Sequence, residues 1–371
     1  MSKSKHPLRD LLLVFTVWLA SLFFAGSLFE VYFLNLGMSL HEIYLADVLW
    51  FLAAVLLIPF FKGFKTKPFI LFGIAITIVS VLALLLIKDN SAAYIFRFFL
   101  GATHFFFWVP FNTAVYEFRK ENNATLSSIL TSFTPLLSLV LPAVSGIIAQ
   151  DFGYDVIYVA SIVCCIIAII IGTFLIENRE YKYDFRKSMK SISGLKSLLF
   201  LDGFSISTIG SVTLPIMILD FLDKPQDVGF FLSLVTVFAI VSSFFVSYAS
   251  DKSQSRRKYL LISAIGFSIA AIFSSQVSDI VLFFIGFGLV NFFSKLFSPL
   301  SAALAVDNSK KLADTIAARE FMLNAGRFSG GIIGVIIFLL FDLQATLLFQ
   351  GAFFLIYIPI FELKRRKLLH I

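Results

Sequence analysis

Three basic side chains interrupt long apolar runs of this chain: Arg97, Lys295 and Arg327. A basic group held in hydrocarbon costs about 2.5–3.5 kcal/mol on insertion scales, so each one needs a partner or a task. The task that suits their charge is attraction of an anionic group, with Lys295 aided by Arg327 and Arg97. Their neighbours recur at helical spacing. Arg97, Gly101, His104 and Trp108 form one stripe, Gly288, Asn291 and Lys295 a second, and Glu320, Asn324, Arg327 and Gly331 a third. Steps of three and four residues put each set on one helix face, leaving the other faces for lipid. A histidine changes charge near neutrality, and intramembrane ionisable groups often relay protons, so His104 with Glu30 raises proton coupling as a second hypothesis. The plainer alternatives are that Arg327 pairs with Glu320 on its own helix or with a backbone carbonyl, that Lys295 snorkels, and that His104 only packs as a hydrogen-bonded residue among Phe105, Phe106 and Phe107.

Other chemistry finds little support. The four histidines, His6, His41, His104 and His370, are scattered and build no metal or catalytic cluster. The two cysteines, Cys164 and Cys165, are adjacent, and neighbours on a helix point about 100° apart, which suits packing rather than a metal or a disulfide. No phosphate-binding loop occurs, nor any repeated pore-loop element. The expectation is no enzyme, no metal and no cofactor.

The elements that carry these residues are written in the composition. The chain has 371 residues, 59% hydrophobic and 14% charged, with a mean hydropathy of +0.93. Soluble domains carry roughly 25% charged residues. The solvent for most of this chain is therefore lipid. About 20 apolar residues span a bilayer. Seven charge-free runs meet or approach that length: 11–29, 68–87, 125–150, 156–176, 228–250, 259–278 and 343–361. Five more qualify with ionisable groups inside or at an end: 43–61, 92–116, 197–219, 279–306 and 316–341. The total of twelve predicts two six-helix halves, 11–176 and 197–362, joined by a polar linker at 177–196 and flanked by short ends at 1–10 and 363–371. The basic start followed by an apolar run resembles a signal peptide, but the run to Phe29 is long for one and reads as an uncleaved first helix.

Lysine and arginine test this count independently. With the N-terminus cytoplasmic, the outward loops hold only Lys88 and Lys224, while the opposite face collects 25 of the 30 basic residues. That asymmetry is a topology signal. It also accounts for the net charge of +7 as contact with anionic lipid, and excludes nucleic acid as the partner.

The halves carry traces of a repeat. Leu141-Pro142-Ala143-Val144-Ser145-Gly146 aligns without gaps with Gly326-Arg327-Phe328-Ser329-Gly330-Gly331, 185 residues later. Gly101, Phe105, Phe106 and Pro110 are echoed by Gly288, Phe292, Phe293 and Pro299, and Glu117 by Asp307. Ser247 to Lys258 contains Asp251-Lys252 followed by Arg256-Arg257-Lys258, whereas the equivalent loop in the first half, Lys62 to Lys67, is basic and lacks the acid. Arg97-Phe98-Phe99-Leu100-Gly101 and Pro142-x-x-Ser145-Gly146 complete the set, the latter with Leu141 in place of a leading glycine.

Together these motifs resemble the major facilitator superfamily over essentially the whole chain. The resemblance implies an all-α membrane fold of twelve transmembrane helices in two pseudo-symmetric six-helix bundles. It implies that the first, fourth, seventh and tenth helices line a central cavity, which puts His104, Asn291 and Lys295 on the substrate path with Glu30 near its outer mouth. Asp251, Arg256 and Arg257, with Glu117, Arg119 and Glu320, are expected to form coupling and gating contacts. The reading is a monomeric secondary transporter in the cell membrane, both ends cytoplasmic, that moves a small solute with an anionic group, with coupling to protons as the further hypothesis. The alternative is a sensor or lipid-handling protein on the same scaffold.

Overall fold

The computed structural model describes residues 7–117, 135–253 and 256–364, with side chains except over 244–256. Among them, twelve helices are long and apolar enough to cross a membrane. The first six are Pro7–Asn35, Leu40–Leu57, Thr66–Leu86, Ser91–Glu117, Pro135–Phe152 and Tyr154–Leu175. The next six are Lys196–Asp220, Pro225–Ser243, Arg257–Ser275, Ile280–Asp307, Leu312–Leu340 and Leu343–Lys364. The expected count of twelve stands. An even number of crossings returns both chain ends and the central linker to one face, the terminal face; the opposite one is the far face.

The connectors are short because their residues cap and turn sharply. Gly37 (φ 85°) and Gly153 (φ 87°) take the left-handed backbone that glycine alone adopts freely, after the first and fifth spans. Ser39 and Glu42 form a reciprocal capping box on the second span, and the Asp279 and Asp342 carboxylates accept backbone N–H groups at the starts of the tenth and twelfth.

The first span departs from the run at 11–29. Its helix breaks at Gly26, where the Ser27 hydroxyl donates to the Phe23 carbonyl at 2.5 Å, and resumes over Phe29–Asn35. Phe29, Val31 and Phe33 are fully buried there, so the protein rather than lipid solvates this turn. Glu30 consequently lies inside the protein, not past the end of a span.

Small residues let helices approach closely. Gly101 meets the Trp50 carbonyl, Gly203 and Gly330 join the seventh and eleventh spans, and Gly146 and Gly229 meet reciprocally between the fifth and eighth. With lipid tails as apolar as leucine, such backbone proximity is the main attraction between membrane helices. The Gly146 of the repeat thus makes a helix contact.

The linker is not a loose tether. Its strand β2 (Glu180–Lys182) pairs antiparallel with β1 (Gly63–Lys65) from the loop after the second span. The Tyr183 hydroxyl donates to the Ile58 carbonyl at 2.7 Å. A short linker helix, Phe185–Ser191, then packs on the eleventh span, where Asp314 accepts from the Ser188 hydroxyl (3.0 Å) and the Asp184 N–H (3.3 Å). The linker therefore bridges the two halves. Burial pushes the Tyr183 phenol above its ordinary pKa, and a backbone N–H from Lys187 holds the Asp184 carboxyl below its own.

Candidate functional site

Two helices that wall the centre of the molecule lose regular α geometry where the polar stripes lie. The fourth span has a π turn at His104–Trp108, and the seventh has two, at Asp202–Ser207 and Ile209–Thr213. Such turns widen a helix and re-aim its side chains, and they recur at functional sites. Here they present His104, Trp108, Ser207 and Ser211 to a cavity of about 650 Å³ between the halves. By position, His104, Lys295 and Arg327 each lie near the middle of their spans, at one depth.

The structure brings all five sequence-derived binding residues, His104, Asn291, Lys295, Arg327 and Arg97, to this cavity, together with Glu30 and Glu320. Their partners differ. The Arg97 guanidinium pairs with Glu30 (Nη2 to Oε1, 2.8 Å) and with Asp47 (Nε to Oδ1, 2.5 Å), and stacks 3.8 Å from the Phe29 ring centroid. That buried cluster satisfies Arg97 within the protein, so its expected role toward an anion is not what its geometry favours. Asp47 is the member that sequence reasoning left unassigned. Glu30, expected near the outer mouth of the substrate path, lines the cavity and is one of the two carboxylates of this charge cluster.

Glu320 is also taken. Arg319 donates to its Oε1 at 2.7 Å, and Asn112 approaches the same atom at 3.5 Å. Arg327 therefore does not pair with Glu320; its Nη1 donates to the neutral Asn324 Oδ1 at 3.2 Å, and its Cζ stands 5.6 Å from the Phe51 ring centroid. Lys295 makes no ion pair or hydrogen bond among the described residues, and the Asn291 amide donates to its own helix at Phe287 O (3.1 Å). His104 is buried, its ring 5.6 Å from Trp50 and 6.3 Å from Phe51, with no hydrogen-bond partner on Nε2 among the described residues. Asp202, near the terminal end of its span, accepts from Ser301 at 3.0 Å. The cavity thus presents two cations, Lys295 and Arg327, without a carboxylate partner among the described residues.

On the far side of the cavity the halves meet tightly. Tyr44 of the second span bonds Thr213 (2.9 Å) and accepts from Gln350 Nε2 (3.2 Å), Gly331 packs on Val48, and the His41 and Phe338 rings stack at 4.1 Å. A cavity between two six-helix halves, closed on one side by contacts between them, is the arrangement of alternating-access carriers.

The family model for the Major Facilitator Superfamily matches the chain twice, over residues 11–199 and 195–368. The chain belongs to the Major Facilitator Superfamily. It is a multi-pass membrane transporter built from two copies of the repeat. No curated protein sequence matches it. Among solved structures it is similar to the human organic anion transporter MFSD10 (TETRAN), at 12% identity, TM-score 0.71, covering 95% of this chain and 99% of that one. It is also similar to a variant of the nucleoside transporter NupG (10%, TM-score 0.68, 96% and 99% covered). A POT family transporter in complex with a thioalcohol-conjugated peptide matches at 14%, TM-score 0.67, with 96% of each chain covered. Identities this low relate the folds.

On the terminal face, two of the expected gating residues, Glu117 and Arg257, have ion-pair partners among the described residues. Glu117 accepts from Arg179 of the linker at 3.0 Å and from the Tyr181 hydroxyl. Arg257 pairs with Glu362 of the twelfth span at 2.9 Å. The side chains of Asp251 and Arg256, and all of Arg119, lie outside the described residues. Where the first-half loop lacks the superfamily's acid, backbone pairing of β1 with β2 holds that loop instead.

Proposed function

We propose that this chain is a secondary transporter that carries a small solute with an anionic group by alternating access, Lys295 and Arg327 meeting the anion. One observation carries the reading: both cations line the cavity between the halves without a carboxylate partner among the described residues. Charge kept in a low-dielectric site without a partner is costly, and a bound anion supplies what the protein withholds. The reading takes a monomer in the cell membrane; the 25-to-2 split of basic residues supports chain ends and linker on the cytoplasmic side.

The test is uptake into proteoliposomes. Lys295→Gln and Arg327→Gln each raise the KM for the transported anion at least tenfold, while Lys88→Gln, on a far-face loop, leaves it unchanged. Unaltered affinity in both cavity variants rejects the assignment. A sensor or lipid-handling role on this scaffold predicts no saturable counterflow of any solute.

Proton coupling is favoured by a separate feature, the pairing of two buried carboxylates, Glu30 and Asp47, with the single guanidinium of Arg97. Such a cluster carries one uncompensated negative charge, which a proton neutralises. His104 lies on the same cavity wall. An imposed pH gradient then drives uptake in the unaltered protein and fails to do so in Asp47→Asn. Uptake indifferent to the gradient in the unaltered protein rules coupling out.

A further inference from the structure

We propose that the cavity is shaped for an amphipathic organic anion, with a flat apolar body lying against the first-half wall and an anionic head toward Lys295 and Arg327. The inference rests on the anion reading above and adds the body of the substrate, which that reading leaves open.

The two walls differ in kind. Of the eight Phe, Trp and Tyr side chains among the described lining residues, seven come from the first half and only Phe287 from the second. Three of the four lining Lys and Arg residues (Lys295, Arg319 and Arg327) come from the second half. The fourth, Arg97, is paired with Glu30 and Asp47, and Arg319 with Glu320, which leaves Lys295 and Arg327. The aromatic side holds two groups: Phe15 stacks with Phe111 at 4.8 Å and meets Trp108 edge-on at 5.5 Å, and Trp50 stacks with Phe51 at 5.5 Å. Ser207, Ser211, Asn291 and Ser294 flank the cations on the opposite side.

A compact hydrophilic anion would satisfy the cations and leave the aromatic wall wet. A purely apolar molecule would do the reverse. A molecule with both parts covers both walls, and the Arg327 guanidinium, 5.6 Å from Phe51, stands where they meet. The volume of about 650 Å³ is that of pockets for drug-sized ligands. A cationic solute is disfavoured, since Glu30 and Glu320 each already hold an arginine.

The chain has three tryptophans, and two of them, Trp50 and Trp108, line the cavity, so tryptophan fluorescence of the purified full chain reports occupancy. Four probes decide: 2-naphthoate, its neutral amide 2-naphthamide, the cation 2-naphthylmethylammonium, and gluconate as a hydrophilic carboxylate. The expected result is saturable quenching by 2-naphthoate, at least tenfold weaker binding of the other three, and a tenfold loss for 2-naphthoate in Trp108→Leu. Gluconate binding is read by its competition with 2-naphthoate. Gluconate binding as tightly as 2-naphthoate overturns the amphipathic proposal and leaves the anion reading standing. Naphthamide or the ammonium binding as tightly as 2-naphthoate, with Lys295→Gln without effect, overturns the anion reading and the proposal with it. Quenching by none of the four also overturns the proposal. Where Trp108→Leu fails to fold, the probe series on the unaltered protein decides alone.

Discussion

Arg97 shows how a charge becomes tolerable in the membrane interior. One guanidinium holds two carboxylates, Glu30 at 2.8 Å and Asp47 at 2.5 Å, against an aromatic face. Taking away the cation leaves two buried anions facing each other, and breaking a buried pair this way costs about 3–5 kcal/mol. Arg97→Gln should therefore lower the melting temperature in detergent sharply. The matched triple change Arg97→Gln, Glu30→Gln, Asp47→Asn should recover most of the loss, because it removes the charges together. A triple variant as unstable as the single one refutes the charge argument. All three residues stand out in the sequence as ionisable groups in or beside apolar runs, yet nothing local joins them. Arg97 and Glu30 are 67 positions apart, and the apolar run ends at Phe29, so the resumed helix that buries Glu30 is invisible to a run-length argument. Lys295 and Arg327 were legible for the opposite reason: their isolation is a local property.

At the scale of elements, close helix contacts and the docked linker set what the cavity can look like. Gly330 lies against the Phe204 carbonyl, so any side chain there forces the seventh and eleventh spans apart; Gly26 has open space around it. Overpacking a tight site costs about 1–3 kcal/mol. Gly330→Val is expected to lose that amount in a thermal melt and to weaken binding at Arg327, three residues away, while Gly26→Ala stays within experimental error. Equal effects at the two positions would mean that the contact is not what holds these helices. Glycines are easy to find in a sequence, but which helix each one meets is not, because the partner backbone carries no signature. The linker was partly legible. Its polar character marked it as a connector, while the alternation of Glu180, Tyr181, Lys182 and Tyr183, a strand pattern, went unused because an isolated three-residue strand has no standing without its partner at Gly63–Lys65.

For the molecule as a whole, the span count and the basic-residue asymmetry were readable because hydrophobic length and loop charge are summed along the chain and need no contacts. How the halves meet is a property of pairs. On the far face they are joined by Tyr44 of the second span, which bonds Thr213 and Gln350 of the second half, and by the His41–Phe338 stack. If the transporter works by rocking the halves about the cavity, these contacts must part in every cycle. Cysteines at positions 41 and 338, in a background with Cys164 and Cys165 changed to serine, place one thiol on each half where the rings now touch. Bridging them with a short, reducible bis-methanethiosulfonate should abolish uptake, and dithiothreitol should restore it. Binding of the anion, measured by tryptophan fluorescence, should survive the bridge, because the cavity lies on the other side of these contacts. Full uptake with the bridge in place would show that the far face need not open and would remove alternating access from the account. Loss of binding together with uptake would instead mean that the bridge distorts the cavity. Only arrest of transport with binding intact fits a carrier whose two halves must part on the far face to exchange its solute.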